Sequence, residues 1–192
     1  MHSFYRKLCG TTSSGADRQL RLLAAEPILK REVPESTSTG STDEKRRCAG
    51  IAYGGQPTQL SRGFVLTGDP FVAYHRYREL AVKNRWVPVS TKGQRLHNRC
   101  VTSEAPAPEL RYYARYSKAF RGFDALLSIR LEVPVRDLES REFAAEPPRL
   151  HLNALAANEI DEQRSTELAV PTSTKEFLVD PLCADFRGVP LR

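Results

Sequence analysis

Arg111, Arg115, Lys118 and Arg121 follow one another at spacings of four, three and three residues. On a helix that spacing puts all four cations on one face. Such a row can track successive phosphates, which gives nucleic-acid binding that is indifferent to sequence and weakened by salt. Tyr112 falls at the border of that face, where its ring is placed to stack on a base. The plain alternative is a helix whose charged side faces water, with arginine stems covering apolar surface. The neighbourhood favours the first. Residues 51–122 carry twelve Lys+Arg against four Asp+Glu, a net charge of +8, while residues 123–192 carry eight against thirteen. A basic half followed by an acidic one decides where a polyanion is attracted. Arg76, Arg78 and Arg85 form a second basic group, which Lys92, Arg95 and Arg99 extend into the polar loop TKGQRLHNR.

Residue types that do covalent or metal chemistry are poorly placed by comparison. His97 and Cys100 stand three apart, but a nucleophile and its base must meet in space, and spacing along the chain does not bring them together. The segment GIAYGG at residues 50–55 is not followed by the Lys-Ser/Thr that a phosphate-binding loop requires. The four cysteines, at 9, 48, 100 and 183, include no C-x-x-C pair, and the four histidines, at 2, 75, 97 and 151, are dispersed. The residues therefore point to no cofactor, no metal site and a non-catalytic role.

Elements must position the cations. Asp69 and Pro70 are a good N-cap and first helical residue, and residues 70–84 read as a helix. Phe71, Ala73, Tyr74, Tyr77, Leu80 and Ala81 share one half of its wheel, and His75, Arg76, Glu79 and Lys83 share the other. Residues 108–121 read as a second helix, with Pro108 near its start, Gly122 just past its end, and Leu110, Tyr113, Tyr116 and Phe120 along its inner face. The strongest strand signal follows: Ala125, Leu127, Ile129, Leu131 and Val133 alternate with Leu126, Ser128, Arg130 and Glu132. Shorter strands are expected over residues 63–66 and 86–89, the latter at an edge because Pro88 cannot donate to a central ladder. Short helices are expected over residues 137–145 and 174–179.

The remainder bounds the setting. Apolar residues make up 40% and charged residues 27% of the 192, which suits one folded domain with extensions. No run approaches the ~20 apolar residues that span a bilayer, and cysteine usage fits a reducing compartment. Residues 1–24 hold four basic residues, one acidic residue and five Ser/Thr, the composition of an organellar transit peptide. Residues 34–47, PESTSTGSTDEKRR, have nothing to bury and read as a linker. Residues 1–49 are accordingly expected to be a flexible extension, and residues 50–192 a single mixed domain.

The expected fold class is α+β: a small, mainly antiparallel sheet packed against two main helices, with a disordered N-terminal extension. The expected role is an RNA-associated structural component of a ribonucleoprotein assembly, most concretely a mitochondrial ribosomal protein, with RNA and neighbouring protein subunits as partners and no membrane span. Two rivals are a viral or accessory protein acting by protein or RNA binding, and a small enzyme with a dispersed site.

Overall fold

The computed structural model of the chain describes residues 13–30, 34, 36–45, 58–91, 99–101, 109–136, 142–157, 162–163 and 173–177. The elements begin with helices α1 (Ser13–Ala25) and α2 (Pro27–Lys30), strands β1 (Ser36–Lys45) and β2 (Gln59–Leu66), and helix α3 (Pro70–Lys83). Then come β3 (Val87–Pro88), β4 (Ser90–Thr91), β5 (Arg99–Val101), β6 (Glu109–Phe120), β7 (Phe123–Pro134), β8 (Arg149–Ala157), β9 (Glu162–Gln163) and helix α4 (Thr174–Phe177). The fold is α+β. Its main sheet runs β1-β2-β8-β7-β6-β3, with β5 also on β6, and every pairing in it is antiparallel. A separate ribbon joins β4 to β9. No described helix is long and apolar enough to cross a membrane.

The alternation after Gly122 folds as it reads. In β7 Phe123, Ala125, Leu127, Ile129, Leu131 and Val133 are buried, and the residues between them are half-buried. β8 repeats the pattern with Leu150, Leu152, Ala154 and Ala156. Helices α1 and α3 pack on that apolar face through Leu20, Leu23, Phe71, Tyr74 and Tyr77, since each amphipathic layer must bury its apolar side against the other.

α3 starts as its sequence indicates. Asp69 has extended backbone, and its Oδ1 accepts from the Phe71 and Val72 amides at 3.0 and 3.3 Å. Its Oδ2 accepts from the Thr174 amide at 2.7 Å, so the same carboxylate also ties down α4. The helix ends in a Schellman arrangement: the Arg85 amide donates to the Val82 carbonyl and the Trp86 amide to the Ala81 carbonyl. Arg85 occupies the left-handed position at φ 63°, where glycine is usual.

Residues 109–120 are a strand, which corrects the expected second helix. Apolar and aromatic residues there satisfy a period of 3.6, but Tyr112, Ala114 and Tyr116 also satisfy a period of two, and those are the three buried side chains. Tyrosine and phenylalanine favour the pleated surface. A two-residue turn with Gly122 at φ 97° lets Phe120 pair with Phe123. The register then continues without interruption to Glu109 against Pro134. As a helix this segment would leave one edge of β7 unpaired. The second main helix is α1.

The domain also begins before Gly50. Leu20, Leu23, Ile28 and Leu29 belong to the same core as the sheet, and the buried Gln19 accepts from the Thr58 hydroxyl at 2.9 Å. Within the segment expected to be a linker, β1 pairs along β2 from Ser36 against Leu66 to Lys45 against Gln59. A low apolar content did not prevent pairing, because an edge strand is held by backbone hydrogen bonds. Residues 1–12, most of the loop TKGQRLHNR and residues 137–141 of the short helix expected over 137–145 lie outside the described residues. Residues 142–146 form no helix, and Phe143 makes an isolated bridge to Val135.

Candidate nucleic-acid interface

With the helices on one face of the sheet, the alternate residues of β2, β8, β7 and β6 form the opposite face in cross-strand rows. One row is Arg111, Glu132 and Arg149; the next is Tyr113, Arg130, His151 and Gly63; the third is Arg115, Ser128, Asn153 and Ser61. Successive rows lie about 7 Å apart, two strand residues, and strands about 4.8 Å apart. The second and third rows, with Gln59, line a half-open groove of about 460 Å3. Gly63 adds no side chain beside His151, which leaves the groove open at that corner.

Among the described residues the fixed charges lining the groove are arginines. Arg115, Arg130 and His151 line it, and no carboxylate does among the described residues. Arg62 also borders it, but its guanidinium donates to the Leu29 carbonyl at 2.5 Å and lies over the Phe64 ring on the helix side. In the neighbouring row Glu132 accepts from or pairs with Arg111, Arg130 and His151. His151 Nε2 lies 3.0 Å from one oxygen, and Arg130 Nε and Arg111 Nε lie 2.9 and 3.9 Å from the other. The Arg130 contact is an ion pair whose N–H is not aligned on the oxygen for a hydrogen bond. Burial pushes the Glu132 carboxyl up. The His151 hydrogen bond and the charges of Arg130, His151 and Arg111 outweigh it and hold the group below the usual carboxylate range.

The sequence-derived candidates separate once Glu109–Phe120 is a strand. Arg111 and Arg115 share the polar face, with Tyr113 between them. Lys118 and Tyr112 have the opposite parity and point to the helices. Lys118 Nζ donates to both Glu26 carboxylate oxygens at 2.8 Å and to the Asn84 carbonyl at 2.9 Å. Tyr112 is buried, edge-on to Phe71 at 5.4 Å between ring centres. Neither is placed to meet a phosphate or a base. Arg121 is exposed in the hairpin turn. Arg76 is exposed on α3, in the other layer of the molecule. Arg78 lies beside it with Nε 3.4 Å from the Tyr116 hydroxyl and its guanidinium over the Tyr74 ring, and Arg85 caps the helix. The Arg99 backbone pairs with that of Arg111 on β5, and Lys92 and Arg95 lie outside the described residues.

Sequence reasoning missed Arg130, His151, Asn153, Ser61 and Ser128, and placed Tyr113 in the core. The alternation of β7 already put Ser128 and Arg130 on its polar side. Which side chains from β6, β8 and β2 would stand beside them depended on register. Among the described residues no three His, Cys, Asp or Glu side chains converge as metal ligands would.

Fold and site together define a layered α+β domain whose antiparallel sheet carries helices on one face and a basic, aromatic-bearing groove on the other. The chain matches no protein-family model, and no curated protein or solved structure is significantly similar to it.

Proposed function

We propose that the protein is a non-catalytic, RNA-associated component of a ribonucleoprotein assembly, and that it meets RNA with the polar face of its sheet. One observation carries this reading. Tyr113 is half-exposed among arginines, with Arg111 and Arg115 two residues to either side on the same strand and Arg130 directly across from it. Cations interleaved with an aromatic ring suit a polyanion whose bases can stack. The +8 charge of residues 51–122 supplies long-range attraction. Residues 13–24 belong to the folded domain, but residues 1–12 ahead of them hold two basic residues and no acidic one, a composition that favours a mitochondrial ribosome as the assembly.

RNA binding measured across a salt series tests the proposal. Replacing Arg115 and Arg130 with Gln should flatten the slope of log K against log salt by about 1 to 2, the loss of two phosphate contacts. The fold should survive, because both arginines are partly exposed and Glu132 keeps His151 and Arg111 as partners when Arg130 is replaced. An unchanged slope in the double variant, or wild-type protein whose RNA binding ignores salt, would overturn it.

A further inference from the structure

We infer that the groove takes an unpaired nucleotide within an RNA strand, its phosphate on Arg115 and Arg130 and its base against Tyr113. The inference rests on the RNA reading above and narrows it. Three observations support it. The first is size: about 460 Å3 accommodates a nucleotide-sized group.

The second is hydrogen-bond polarity. Gln59 Nε2 donates to Ser61 Oγ at 2.8 Å, and the Ser61 hydroxyl donates to Asn153 Oδ1 at 3.1 Å. That chain ends on the Asn153 carbonyl oxygen and leaves its amide N–H groups as donors. With the guanidinium groups of Arg115 and Arg130, the groove is rich in donors, so its ligand must bring acceptors. Phosphate oxygens, base carbonyls and ring nitrogens, and a ribose 2′-hydroxyl supply them. The third is Tyr113, which offers a ring in the same row as Arg130 and His151. In a duplex the faces of the bases are stacked on one another; in a single strand a base can splay out onto an aromatic ring.

The test uses the full chain at one salt concentration with four probes: a short uridine oligomer, the same oligomer annealed to its complement, uridine monophosphate, and a polyglutamate peptide of equal charge. The single strand should bind at least about tenfold more tightly than the duplex. Tyr113→Leu should weaken single-strand binding by about tenfold and Tyr113→Phe by no more than about twofold, since stacking needs the ring and not the hydroxyl. Duplex binding should be unmoved by either variant. A duplex bound as tightly as the single strand overturns the unpaired assignment and leaves the RNA reading standing. Uridine monophosphate binding as tightly as the oligomer overturns it in favour of a free nucleotide, and tighter binding of polyglutamate overturns it in favour of an acidic protein. Failure of both RNAs to bind defeats the RNA reading itself.

Discussion

Lys118 on β6 fastens the junction of α1 and α2 from across the molecule: its Nζ lies 2.8 Å from both carboxylate oxygens of Glu26. Trp86 completes the arrangement, donating from its indole nitrogen to the same carboxylate at 3.0 Å. The ammonium also lies over the Trp86 and Phe120 rings. The Glu26 side chain is only 9% exposed and that of Lys118 21%, so removing one partner strands the other with little water. Lys118→Ala should therefore cost about 3 kcal/mol in a denaturant titration. The slope of RNA affinity against salt should stay at its wild-type value. A neutral effect on stability, or a flattened slope, would return Lys118 to the list of phosphate contacts.

Arg85 gives an opposite expectation for stability. It holds the left-handed backbone position that closes α3, and its side chain is exposed. A side chain at such a position costs about 1 kcal/mol that glycine avoids. Arg85→Gly should raise the unfolding free energy by a few tenths to about 1 kcal/mol, after the greater freedom of glycine in the unfolded chain is deducted. A fall in the melting temperature would show that the arginine makes a compensating contact.

Leu23 tests whether α1 is part of the domain. Its side chain is fully buried with Ile28 and the sheet, and truncation in a packed core costs about 2–5 kcal/mol. Leu23→Ala should show a loss of that size in chemical denaturation. A change within experimental error would mean that the helix docks too loosely to count as core.

Glu132 couples the stability of the fold to pH. Its carboxyl lies below the usual range in the folded protein, so folding favours the ionised form. That stabilisation is fully present above the carboxylate range of the unfolded chain and is lost as pH falls through the lower folded value. Wild-type stability should thus decline, as pH falls through and below the usual carboxylate range, more steeply than that of Glu132→Gln. Parallel pH profiles for the two proteins would sink this account.

Local features of the chain were legible without any coordinates. The alternation of Leu127, Ile129 and Leu131 identified a strand with one buried face, and all three are fully buried. Asp69 and Pro70 marked the start of α3, because capping and a preset φ are properties of adjacent residues. The α+β class and the antiparallel sheet followed from such elements.

Tertiary structure decided what adjacent residues could not. Glu109–Phe120 carries both a helical and a strand-like pattern, and pairing with β7 selected the strand. With that choice Arg111, Tyr113 and Arg115 came to one face, while Tyr112 and Lys118 turned to the other. α1 and the junction that follows it joined the core through contacts with residues far along the chain, such as Gln19 with Thr58 and Glu26 with Lys118. The groove depends most on long-range order. Ser61, Tyr113, Arg130, His151 and Asn153 become neighbours only through the register of four strands. A shift of one residue in any of them would reverse its faces. Charge and alternation are written residue by residue, whereas register is settled by hydrogen bonds and packing between segments remote in sequence.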